Sequence, residues 1–105
     1  MIYELREYVA EPGRMDAVHA RFADHTLDLF VKHDIKVVGF WNDVDDPERL
    51  FYLCAFADAD AKKAAWESFF ADPEWQRVRS ESEKDGPIVK QIISTMLTTV
   101  PYWHD

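Results

Sequence analysis

A chain of 105 residues, 48% hydrophobic and 14% aromatic, is sized for one domain and too apolar to stay disordered. Its net charge of -8, from 12 basic and 20 acidic residues, speaks against nucleic acid and anionic membrane as partners, because both ask for a basic surface. The single cysteine, Cys54, allows no internal disulfide, and no apolar run approaches the roughly 20 residues of a bilayer span.

The opening MIYELREY is neither a basic leader nor a long apolar run, so a cytoplasmic protein is the expectation. Ile2–Val9 reads as a strand in which Tyr3, Leu5 and Val9 alternate with Glu4, Arg6 and Tyr8. Pro12-Gly13 ends it in a turn. A helix from Arg14 to about His33 follows, with Met15, Val18, Phe22, Leu29 and Phe30 at three- and four-residue spacing. Ile35–Val44 and Leu50–Phe56 read as a strand pair around the acidic turn Asp43–Glu48. Asp58 and Asp60 offer capping oxygens to a helix over Ala59–Ala71. Asp72-Pro73 then stops that helix and starts another, to about Glu83, because aspartate caps a helix and proline suits a first turn. Trp66, Phe69, Phe70 and Trp75 crowd around this restart. Gly86-Pro87 breaks the chain before a last strand, Ile88–Val100.

The order β-α-β-β-α-β predicts an α+β protein of ferredoxin-like form, with a four-stranded antiparallel sheet and its helices on one face. Residues 1–105 make one domain. The second and third strands carry apolar residues on both faces: Ile35, Val37 and Trp41 against Val38 and Phe40, then Tyr52, Cys54 and Phe56 against Phe51, Leu53 and Ala55. The last strand sets Ile92 and Met96 against Val89, Ile93 and Leu97. Two helices cover one face only, so a second sheet must cover the other or leave an apolar patch wet. A homodimer packed sheet to sheet is the expectation, with a monomer whose final strand folds over its own sheet as the alternative.

Six segments in order carry a family resemblance: YELREY (Tyr3–Tyr8), DHT-LDLF (Asp24–Phe30), VVGFW (Val37–Trp41), FYLCAF (Phe51–Phe56), AAWESFFADPEWQRVRSESE (Ala64–Glu83) and STMLTTVPY (Ser94–Tyr102). The chain resembles a NIPSNAP-domain protein of the dimeric α/β-barrel superfamily, nearly end to end. The resemblance implies a ferredoxin-like protomer that pairs through its sheet into a barrel. It implies no single activity, since the superfamily spans cofactor-free monooxygenases, polyketide cyclases, isomerases and haem proteins. It also implies that small ligands sit between helix and sheet.

Against that background His25 is the first candidate. At about 100° per residue it falls on the flank of the Val18, Phe22, Leu29 stripe, where it would face the helix–sheet gap and serve as a base. The structural alternative is a half-buried histidine held by a backbone carbonyl or by Asp28. Tyr3, Arg6 and Tyr52 are candidates to hold a ligand oxygen, a carboxylate or an enolate; the structural reading of Arg6, which outweighs that one, is a pair with Glu4 on the same strand face or with an acid across the dimer. Phe22, Trp41, Tyr52 and Trp66 are candidate apolar pocket walls, with Trp41 alternatively an interface anchor. No metal is expected: His19, His25, His33 and His104 form no HxxxH or HExxH pair, and none pairs with Cys54 at a metal-ligand spacing. No cofactor is expected either, since no phosphate-binding glycine loop and no haem-specific signal is present. A Ser-His-Asp triad using Ser68 or Ser94 lacks any nucleophile elbow.

The functional expectation is binding of a small hydrophobic or aromatic molecule, with any chemistry cofactor-free: His25 as base, Tyr3 or Arg6 on an enolate oxygen and Trp66 excluding water. The rival is a non-catalytic homodimeric interaction module. A void of a few hundred Å³ reached by His25 favours the first, and a closed interior favours the second.

Overall fold

The computed structural model describes residues 1–103. His104, one of the histidines weighed as metal ligands, lies outside the described residues. The elements run β1 (Ile2–Ala10), α1 (Met15–Arg21), a π-helical turn (Phe22–Thr26), α2 (Leu27–Lys32), β2 (Lys36–Asn42), β3 (Arg49–Phe56), α3 (Ala59–Ala71), α4 (Pro73–Ser82) and β4 (Val89–Thr98). The four strands form one antiparallel sheet in the order β2-β3-β1-β4. This is the expected ferredoxin-like arrangement, with the helices on one face.

Local chemistry sets the helix ends. Asp58 accepts the Ala61 N–H at 2.8 Å and caps α3; Asp72 accepts the Glu74 N–H at 2.8 Å and caps α4 ahead of Pro73. Helix α2 closes on Asp34, which takes φ +59°, while the Ile35 N–H reaches the Phe30 carbonyl at 2.9 Å and the Asp34 N–H reaches Val31. These crossed bonds satisfy the last carbonyls of the helix and turn Ile35 into the core.

Asp72 also ties three helices together. Its Oδ2 takes Lys32 Nζ at 2.8 Å and His33 Nε2 at 2.7 Å, and His33 Nδ1 meets Ser68 Oγ at 2.6 Å. Ser68, His33 and Asp72 therefore do stand in line, but Ser68 sits inside α3, where neighbouring N–H groups are spent on the helix and none is left to hold an oxyanion. Lys32, His33 and the Glu74 N–H hold the Asp72 carboxyl below the usual carboxylate range. A carboxyl lowered on folding stabilises the fold above its unfolded pKa of about 3.9, and that stability fades as pH falls through the lower folded value. Asp72→Ala is thus expected to lower the thermal midpoint by several degrees at pH 7, and the gap to the parent chain should close toward pH 2. A gap that persists unchanged in acid would refute the ion-pair account.

Alternation along β1 runs opposite to the hydrophobic expectation. Glu4, Arg6, Tyr8 and Ala10 point to the helices and are buried, while Tyr3, Leu5 and Val9 point to the other face. In β2 a bulge at Val38 shifts the register between Val37 and Gly39, so Val37 and Phe40 share the helix side and Trp41 the other. Sequence alternation alone put Val37 with Trp41; the extra residue reverses the phase. Glycine at 39 lets the Trp41 ring lie across the strand there, since a Cβ would sit 2.6 Å from it and displace it.

The outer sheet face is apolar and open. It carries Tyr3, Leu5, Trp41, Phe51, Leu53, Ile93 and Leu97, with Trp41 52% exposed. Among its polar residues, Glu7 and Arg49 pair with each other.

Candidate functional site

Between the helices and the β1–β4 side of the sheet lies a cavity of about 330 Å³. Its walls include Phe30, Trp66, Phe69, Phe70 and Trp75, and its polar lining includes Arg6, Tyr8, Arg21 and Thr26. A more open hollow of about 770 Å³ lies on the far side of Trp66 and Phe70, toward Ile2 and Leu97.

The floor is a buried polar network built on β1. Glu4, 2% exposed, accepts three donors: Trp66 Nε1 at 2.8 Å on one oxygen, and Ser94 Oγ at 2.6 Å and an Arg6 terminal nitrogen at 3.0 Å on the other. Arg6 Nε donates to the Tyr52 hydroxyl at 2.7 Å, which donates on to Tyr8 Oη at 3.3 Å. The Arg6 guanidinium also stacks on Trp66, 4.4 Å from a ring centroid. Burial works to raise the Glu4 carboxyl, but the Ser94 and Trp66 hydrogen bonds and the Arg6 charge outweigh it, so it stays below its ordinary value. Burial works likewise against the Arg6 charge, and the oxygens of Tyr52, Tyr8 and Glu4 overcome it. Tyr52 is driven upward chiefly by burial, and the Cys54 thiol is pushed up to about 12 by the same cause. Cys54 is therefore a core residue, not a nucleophile.

Arg21 has a different position. It is 7% exposed, at the end of α1, and one terminal nitrogen donates to Ser82 Oγ at 3.2 Å. Its guanidinium lies over Trp75, 5.1 Å from the ring centroid. Its Nε has no hydrogen-bond partner, and no carboxylate lies within ion-pair distance of it among the described residues. Burial lowers its pKa, offset only in part by Tyr8 and Glu83.

The structure places the sequence candidates unevenly. Arg6 and Trp66 line the cavity, and Arg6 pairs with Glu4. Tyr52 is fully buried one layer behind, as a hydrogen-bond partner of Arg6. Phe22 is packed shut among Tyr8, Phe30, Phe40 and Tyr52, with centroids 5.1–6.3 Å away. Trp41 and Tyr3 are on the opposite sheet face, so neither meets the cavity.

His25 is corrected most plainly. It is exposed and borders a shallow groove against α4 with Ala17, Ala20 and Val78, not the helix–sheet gap. The cause is the π turn. Spreading more residues over one turn leaves His25 short of the inward stripe and brings Thr26 inside, where its hydroxyl donates to the Arg21 carbonyl at 3.1 Å. Glu4, which holds Arg6 and Trp66 from behind the lining, and Tyr8, Arg21 and Thr26, which line the cavity, are residues of the candidate site that sequence reasoning missed. A signal for the first was available: an indole N–H as deep as that of Trp66 needs an acceptor, and a Glu–Arg pair two residues apart on a strand shares one face.

Among the described residues no group of three His, Cys, Asp or Glu side chains is placed to hold a metal ion, and no helix is long and apolar enough to cross a membrane.

The NIPSNAP family model matches residues 3–103. A NIPSNAP domain protein from Burkholderia xenovorans is 20% identical, with both chains fully covered and a TM-score of 0.85. A NIPSNAP family protein from Agrobacterium tumefaciens is 19% identical over 98% of this chain and 91% of its own, with a TM-score of 0.84. An antibiotic biosynthesis monooxygenase-like protein from Nitrosomonas europaea shares the fold at 10% identity and a TM-score of 0.67, over 95% of this chain and 99% of its own. A search of curated proteins returns no match. With a family match spanning nearly its whole length and the same fold in NIPSNAP proteins of known structure, the chain belongs to the NIPSNAP family.

Proposed function

We propose that the chain binds a small hydrophobic or aromatic molecule in the cavity beneath Trp66, as a homodimer joined through its open sheet face. The observation that carries the reading is the cavity itself: about 330 Å³, aromatic on most sides, with a few buried polar groups on its floor. That is the size and make-up of a small-molecule site. A non-catalytic module with a closed interior accounts less well for such a void. The dimer is supported by the outer face, whose exposed Trp41, Ile93 and Leu97 would otherwise stay in water. A buried free thiol at Cys54 fits a reducing compartment such as the cytoplasm.

Cofactor-free oxygenation or isomerisation of the bound molecule has support from the fold likeness to the monooxygenase-like protein alone. Among the described residues the cavity lining holds no histidine, and the buried carboxylate of Glu4 is committed to three donors. Binding is therefore placed ahead of catalysis.

The test is calorimetric titration with matched one- and two-ring aromatic alcohols and carboxylates: benzyl alcohol, benzoate, 2-naphthalenemethanol and 2-naphthoate. At least one should bind at one site per chain, and Ile92→Trp, which fills the cavity from β4, should abolish it. No binding by any of the four, or binding that Ile92→Trp leaves intact, overturns the reading.

A further inference from the structure

Resting on that reading of the cavity, we infer that its ligand is an anion, an aromatic or hydrophobic acid whose carboxylate is held by Arg21. The chain as a whole is strongly acidic, yet the cavity is lined by four cationic residues, Arg6, Arg21, Arg79 and Lys90, and one acid, Glu83. Two of the four are already balanced. Arg6 pairs with Glu4 at 3.0 Å, and Arg79 pairs with Glu83 at 3.6 Å near the mouth. Lys90 is exposed on the rim. Arg21 alone is both buried and without a carboxylate among the described residues.

A buried guanidinium without a counter-charge is costly, and it persists where something repays the cost. The Ser82 hydroxyl and the Trp75 ring orient Arg21 but bring no negative charge. Its Nε is left with an unused donor. A guanidinium offers a planar fork that fits one carboxylate, and the aromatic walls fit the ring that carries it. A neutral ligand would leave the charge unanswered. An inorganic anion would leave Trp66, Phe69, Phe70 and Trp75 facing nothing apolar.

The test uses the same four probes. Each carboxylate should bind about tenfold or more tightly than its matching alcohol. Arg21→Met should bring the carboxylate down to the alcohol's affinity and leave the alcohol unchanged. Arg21→Lys, which keeps the charge but not the fork, should restore part of the preference. Carboxylate and alcohol binding alike in the parent chain would overturn the inference while leaving the binding reading standing; this comparison needs no variant to fold. A preference that survives Arg21→Met would overturn it too. If none of the four probes binds, both fall together.

Discussion

Glu4→Ala is expected to cost about 3–5 kcal/mol of folding stability, the largest single loss we anticipate in this chain. The carboxylate answers three buried groups at once: the Arg6 charge, the Trp66 indole N–H and the Ser94 hydroxyl. Truncation leaves Arg6 charged, buried and unbalanced, and strands a donor on Trp66. Orphaned buried charges and donors are penalised far more than the net worth of the bonds they lose. Glu4→Gln keeps the shape and an acceptor for Trp66 but not the charge, so it should cost less than alanine and still be large. Replacing both partners, as in Glu4→Leu with Arg6→Met, should recover part of the loss, because a buried pair exchanged for apolar residues of similar volume is often near neutral. Urea unfolding of the single and double variants reads these differences directly. A Glu4→Ala chain within about 1 kcal/mol of the parent would show that the network is ornamental to the fold.

Leu5→Glu is expected to convert a dimer into a folded monomer. Leu5 lies at the middle of the outer sheet face, opposite Leu53 on β3 and Thr95 on β4. In a sheet-to-sheet dimer it would be sealed from water, and a carboxylate there would be buried in each protomer without a partner. A penalty of several kcal/mol would raise the dissociation constant by a factor on the order of 10⁴. The helix side of the sheet is untouched, so circular dichroism should be unchanged. Light scattering after size exclusion should give twice the chain mass of 12.3 kDa for the parent and the chain mass for the variant. A parent that elutes as a monomer, or a variant that stays paired, would remove the proposed interface.

Much of the fold could be read from local chemistry. The Asp72-Pro73 restart and the Asp58 cap rest on interactions a few residues long, and the helix Ala59–Ala71 lies where its cap and spacing put it. The phase of β1 was not legible in the same way. Period-two alternation divides a strand into two sets without saying which is inside, and here both sets contain apolar residues. Glu4 and Arg6 went inward because each satisfies the other and Trp66 completes them, a fact that resides in tertiary contacts. The π turn and the Val38 bulge each add one residue to a regular repeat with no residue pattern to announce it. One misplaced His25 and hid Thr26; the other separated Trp41 from Val37. Arg21 escaped notice because a basic residue in a helix reads as solvated until its neighbours are known.

Trp66 belongs to the wall of both hollows, the smaller cavity and the more open one beyond it. It is thus a partition one side chain thick, shared in part with Phe70. Were the ring swung aside, the two hollows would run together. The indole N–H bonded to Glu4 and the Arg6 guanidinium stacked on the ring fasten the partition to the sheet. The carboxylate that keeps the strand's charges in balance therefore also holds the wall between the two hollows, and stability and cavity shape cannot be altered independently at that position.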